Sequence, residues 1–272
     1  MNKYALGTII GTALLGFAKA RRGGRSLVRT KGGGGGRNSY KPRNIEDIYK
    51  LSAQEKSQIT DLDLPRKGLT HLPDDIFNGF INLKTLDLIN NQLTELPESI
   101  GNLTNLKELG FSNNQITKLP EWIGNLTKLE RIGFGRNQLT ELPNSIGNLK
   151  YLERLNLYGN KLTEIPDSIG NLTYLKRLDL MNNHLTEIPD SIGNLTKLET
   201  LWLDENQFTE FPQSIGNLTK LIWLRLSDNP WEKPVPKKII FKMISNRVHK
   251  NVIKEIIDLN NSIKTKSNLR LR

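Results

Sequence analysis

The chain has 272 residues, of which 36% are apolar and 25% charged, with no cysteine and three scattered histidines (His71, His184, His249). That length suits one or two domains with a sizeable core, and the lack of cysteine excludes a disulfide framework, a Cys-ligated metal site and a cysteine nucleophile. The charge of +11 is uneven: ten Lys/Arg and no Asp/Glu before residue 44, 18 against 25 in residues 44–230, and 11 against three from residue 231 onward. A mildly acidic body lies between two basic ends, so any nucleic-acid role belongs to the ends.

Residues 1–20 carry an uncharged apolar run from Tyr4 to Ala18 behind Lys3. Two readings stand. Lys3, the run and Ala18-Lys19-Ala20 have the form of a secretory signal, with export after cleavage near Ala20. Arg21, Arg22 and Arg25 follow at once, however, and by the positive-inside rule they would keep the rest of the chain cytoplasmic, with residues 4–18 as a membrane anchor. As a helix, fifteen residues reach about 22 Å, short of the ~30 Å hydrocarbon core. Residues 21–43 are basic and run through five consecutive glycines, Gly32 to Gly36. They are expected to be a disordered linker. The basic tails suit weak, sequence-independent contact with nucleic-acid phosphate.

Residues 44–58 hold Ser52 and Glu55 at capping-box spacing, beside Ile45, Ile48, Tyr49 and Leu51. This predicts short helical turns forming an N-terminal cap. From residue 59 to 230 the chain repeats about eight times, and Leu83, Leu106, Leu129, Leu152, Leu175, Leu198 and Leu221 fall 23 residues apart. One copy reads Leu106, Leu109, Phe111, Asn114, Ile116, Leu119, Pro120, Ile123, Gly124, Asn125, Leu126. The copy from Ile59 has one extra residue and Lys67 in place of Asn. A fixed period of this length marks a solenoid.

Within each copy, apolar positions 1, 4 and 6 point inward, while positions 3, 5 and 7 alternate outward along a short strand. Stacked copies then form one parallel sheet. The recurring Asn91, Asn114, Asn137, Asn160, Asn183, Asn206 and Asn229 sit among core positions. A buried amide must be hydrogen-bonded, which predicts a ladder satisfying turn backbone within and between coils. Pro at position 15 suits the first residue of a helical turn, and the Asp or Glu after it suits that turn's positive end. No coil buries its apolar residues alone, so the array folds as a unit. Beyond Asn229-Pro230-Trp231, residues 231–272 predict a basic helical C-terminal cap and tail, with one helix from Lys237 to Leu259 carrying Ile240, Ile244, Val248, Val252 and Ile256 at i+4 steps.

The pattern LPxxIGNLTxLxxLxLxxNxLT resembles the leucine-rich repeat family, closest to its 23-residue intracellular type of Ras-group, plant and bacterial proteins. The resemblance implies an α/β solenoid with a curved parallel sheet on the concave face, short helices or 3-10 turns on the convex face and helical caps. It also implies a non-catalytic protein-binding scaffold, with partners such as small GTPases or other signal-transduction proteins. Secreted members usually staple their caps with disulfides, so the missing cysteines favour a cytoplasmic member, membrane-associated through the N-terminus. The alternative is a structural component docking on nucleic acid or an acidic assembly through its basic ends.

No enzyme motif is present: no phosphate loop, no G-x-S-x-G elbow and no H-E-x-x-H. No cofactor or metal is expected. Outward positions place Arg131, Arg154 and Arg177 side by side, with Tyr158, Met181, Trp202, Trp223 and Arg225 beyond them and Gly110, Gly133 and Gly135 alongside. These residues predict a partner-binding strip with Arg and aromatic anchors, suited to an acidic or mixed segment of a protein partner. The competing reading is a solvated ladder in which Glu108, Glu130, Glu153 and Asp179 neutralise the arginines. Glu95, Glu141, Glu164, Glu187 and Glu210 read as a solvated ridge. The Asn-Leu-Thr triplets from Asn102 onward match a glycosylation acceptor, but the repeat itself accounts for them. Trp122, where other copies carry Ser, is a candidate convex-side contact.

Overall fold

In a computed structural model of the chain, the described residues are 28–29 and 38–270. The signal-or-anchor segment 1–20 and most of the glycine-rich stretch lie outside them. The described residues form one curved open sheet in strict chain order. Its strands are β1 (Val28–Arg29), β2 (Asn38–Tyr40), β3 (Asp61–Asp63), β4 (Thr85–Asp87), β5 (Glu108–Gly110), β6 (Arg131–Gly133), β7 (Arg154–Asn156), β8 (Arg177–Asp179), β9 (Thr200–Trp202) and β10 (Trp223–Arg225). β1 pairs antiparallel with β2, and every later pair is parallel.

The sheet begins earlier than the repeats. Asn38–Tyr40, assigned to the linker on sequence, is a strand. Asn38 N–H donates to Thr60 Oγ1 at 3.0 Å, and Thr60 N–H donates to Asn38 O at 3.0 Å. A three-residue strand between β1 and β3 needs only neighbours with free backbone groups, so no apolar repeat marks it.

Equivalent positions pair in register from coil to coil, so each repeat position becomes a row. The inward rows are buried without exception from Leu62 to Leu226, and Phe111 stacks on Phe134 with ring centroids 5.4 Å apart. The convex side is a series of 3-10 turns: Glu98–Asn102, Glu121–Asn125, Asn144–Asn148, Asp167–Asn171, Asp190–Asn194 and Gln213–Asn217. Each opens behind a proline that is the extended N-cap, one residue earlier than expected, with φ near −68° at Pro97 and its carbonyl accepting Ile100 N–H at 3.1 Å. The turns lie so close that a Cβ at Gly147 would sit 2.6 Å from Ser168 O. Trp122 takes the serine place of this zipper, partly buried against the core, with its Cβ 3.0 Å from where a side chain on Gly101 would begin. It is a packing residue first.

At the N-terminal end, α1 (Glu46–Tyr49) and α2 (Ala53–Gln58) close the stack. Ser52 Oγ accepts Glu55 N–H at 3.2 Å, and Glu55 Oε2 accepts Ser52 N–H at 2.8 Å. At the other end Trp231 stacks on Phe208 at 5.7 Å and its Nε1 donates to Leu226 O at 2.7 Å. The expected single helix is two, α3 (Lys237–Ser245) and α4 (Lys250–Arg270). They are separated at Arg247, whose φ is +58°. The break rotates the inward face: Ile239 and Met243 are buried in α3, while Ile244 is exposed. In α4, Glu255 Oε1 accepts Leu226 N–H at 3.0 Å and so covers the end of β10.

Candidate functional site on the concave face

The outward row of first strand residues runs Thr85, Glu108, Arg131, Arg154, Arg177, Thr200, Trp223. Strands lie about 4.8 Å apart, so three guanidiniums are crowded at that spacing. Arg131 is ion-paired with Glu108. Burial depresses the pKa of Arg154, and the charges of Arg177 and Arg131 add to this, against partial relief from Glu153 and Glu108. Glu130 pairs with Lys107 at 2.6 Å, and Glu153, besides acting on Arg154, pairs with Lys176 at 2.8 Å. The row is therefore a basic band between an acidic residue and a tryptophan. Trp223 is 57% exposed, which is unusual for an indole with nothing to cover it.

The next outward row runs Asp87, Gly110, Gly133, Asn156, Asp179, Trp202, Arg225. The Arg225 guanidinium lies 5.8 Å from the Trp202 ring centroid, within cation–π range. Its Nε is also 3.3 Å from Asp204 Oδ2, in charge contact but without hydrogen-bond alignment. Trp202, Trp223 and Arg225 thus share the two last strands. Tyr158 lies on the third row, half-buried, with the Arg136 guanidinium 5.4 Å from its ring. Met181 follows it, also half-buried. Gly110, Gly133 and Gly135 are buried, so they leave no bare floor. At Gly135 a Cβ would meet Asn156 Oδ1 at 2.9 Å.

Sequence reasoning missed what the acids of this face do. Asp87 Oδ1 accepts Ile89 N–H at 2.9 Å, Asn156 Oδ1 accepts Tyr158 N–H at 3.0 Å, and Asp179 Oδ1 accepts Met181 N–H at 3.2 Å. An Asx-type bond two residues on closes each strand end. Asp179 belongs to this set, near Asp204 and Arg225, rather than to the arginine band. Burial pushes Asp179 up to about 7, and the Asp204 charge adds to it. Burial likewise raises Asp204 to about 6, against Arg225 and the Ser227 N–H, and Asp87 to about 6, against the Ile89 N–H. The recurrence of Asp or Asn two residues before the third row was the available signal.

The asparagine ladder lies beneath the face. Asn160 Oδ1 accepts Leu139 N–H at 3.0 Å, and its Nδ2 donates to Phe134 O at 3.0 Å and Leu157 O at 2.9 Å. Asn91, Asn114, Asn137, Asn183, Asn206 and Asn229 each bond the preceding coil and their own in the same way. Glu95, Glu141, Glu164, Glu187 and Glu210 are exposed along one edge. Among the described residues no group of three or more His, Cys, Asp or Glu is placed to hold a metal, and no helix is long and apolar enough to cross a membrane.

A curved parallel sheet with 3-10 turns behind it and an asparagine ladder between coils defines a leucine-rich-repeat solenoid. The sequence matches the leucine-rich repeat region family over residues 44–136 and 167–255, and a second leucine-rich repeat family over 127–185. The chain belongs to the leucine-rich repeat family. No curated protein matches it. Among solved structures, a leucine-rich repeat protein of Leptospira interrogans is 36% identical with a TM-score of 0.66, over 70% of this chain and 48% of that one. The functional domain of InlJ from Listeria monocytogenes is 25% identical (TM-score 0.62, 73% of this chain, 42% of that one). The plant peptide hormone receptor RGFR1, solved with RGF2, is 32% identical (TM-score 0.55, 68% and 34%). The chain thus spans less than half the length of each.

Proposed function

We propose that this chain is a non-catalytic scaffold whose concave face binds an extended, acidic or mixed segment of a protein partner. The single observation that carries this reading is the exposed Trp223. It stands at the end of the basic row and beside the Trp202–Arg225 stack. Arg and aromatic side chains bury much area for little lost entropy and dominate binding energy in scanned interfaces. The arginine band supplies charge complementarity, and the buried acids already have backbone and Arg225 partners, so they do not cancel it. A peptide hormone complex of a related fold supports a protein ligand as the class.

Selection of a random peptide library on the immobilised full chain tests the proposal. Acidic peptides with an apolar residue should be enriched, and their affinity should fall about tenfold or more in Trp223→Ala. The same peptides should bind Glu141→Ala as well as wild type. Enrichment of basic peptides, or equal binding to Trp223→Ala, would contradict the proposal.

A further inference from the structure

We propose that the outer face of the C-terminal cap docks on an anionic lipid bilayer surface. The outer side of the cap carries exposed apolar residues on both flanks of the break at Arg247, and Ile244 is one that the i+4 stripe would have placed inward. Phe241 is 68% exposed, Ile244 52% and Ile257 46%. Ile244 from α3, Val248 from the link between the helices, and Ile253 and Ile257 from α4 line one groove together with Lys250 and Lys254. Lys238 lies three residues before Phe241 in α3, so the two share one helical face. Across residues 231–272 the balance is 11 basic against three acidic. Of those acids, Glu255 is turned inward to the β10 edge, and none of the three lines the groove.

Charge decides among the occupants. The chain's own first 43 residues carry ten positive charges and no negative ones, so they are repelled from this face. A second copy presenting the same face is repelled likewise. An anionic bilayer answers both features together: the acyl boundary takes Phe241 and Ile244, and the headgroups take the lysines, whose stems lie along the apolar surface. This inference is independent of the concave-face reading, because the cap's outer side and the sheet are different surfaces.

The native chain has no cysteine, so Phe241→Cys in the full chain accepts one polarity-sensitive fluorophore. Vesicles of phosphatidylcholine with about 30% phosphatidylserine should shift its emission to the blue, and pure phosphatidylcholine vesicles should not. A label at Glu141→Cys should not respond. In the unlabelled full chain, Lys250→Glu with Lys254→Glu should weaken sedimentation with the anionic vesicles by about tenfold, since each lost cation removes surface attraction. A chain that sediments with vesicles while the label at 241 stays unshifted would overturn the proposal, because its other end would then be doing the binding. An equal shift with neutral vesicles, or a shift that grows with protein concentration alone, would overturn it too.

Discussion

Asp179 and Asn156 occupy the same place in consecutive coils and make the same bond to the amide two residues on. The amide does this neutrally, while the carboxylate does it at the cost of a buried charge. Asp179 is held up to about 7 from 3.8, its burial and Asp204 outweighing the Met181 N–H and Arg225. The folded chain therefore binds a proton there that the unfolded chain releases between about pH 4 and 7. Stability from this group is full below that window and falls as pH rises through it. Asp204 and Asp87, raised to about 6, act in the same direction. Asp179→Asn keeps the acceptor and removes the proton. Thermal melts from pH 4 to 8 should show a shallower decline in this variant, with the gain over wild type largest near pH 8. An unchanged profile would mean that Asp179 is solvated in the fold. Asn160 is the other informative residue. Asn160→Ala strands the Leu139 N–H and two carbonyls and should cost about 1–3 kcal/mol in chemical denaturation.

At the scale of elements, the strands were legible because apolar positions 4 and 6 flank one outward residue in every copy. The asparagine ladder was legible because one amide recurs among core positions. β2 was not, since Asn38-Ser39-Tyr40 carries no apolar alternation and gains its strand only by pairing with β1 and β3. The split of α3 from α4 was not legible either: Ile240, Ile244 and Val248 keep i+4 spacing straight across a residue that adopts φ near +58°. The Gly–Ser zipper was visible as residues but not as a contact, because it joins residues 21 apart on successive turns. It is testable. A Cβ at Gly147 would come within 2.6 Å of the Ser168 carbonyl and 2.8 Å of its Cβ, so backbone must move. Gly147→Ala should destabilise by about 1–3 kcal/mol, as overpacking does, where an exposed Gly→Ala would be neutral. A melting temperature equal to wild type would show that the coils slide apart freely.

For the whole molecule, stacking turns eight weakly informative copies into surfaces with different chemistry. The concave side gathers Arg131, Arg154, Arg177, Trp202, Trp223 and Arg225, one edge gathers carboxylates, and the C-terminal cap gathers lysines around Phe241. The membership of the concave rows followed from the 23-residue period. Which members are already partnered did not, because Arg131–Glu108 and Arg225–Asp204 depend on side-chain rotamers and on neighbours 21 to 23 residues away. The most direct measurement is site-specific photo-crosslinking of a selected acidic peptide to full chains carrying benzoylphenylalanine in place of Tyr158, Trp223 or Glu141. The expected result is adducts from positions 158 and 223 and none from 141. Adducts from 141 alone would contradict concave-face binding and move the site to the acidic edge.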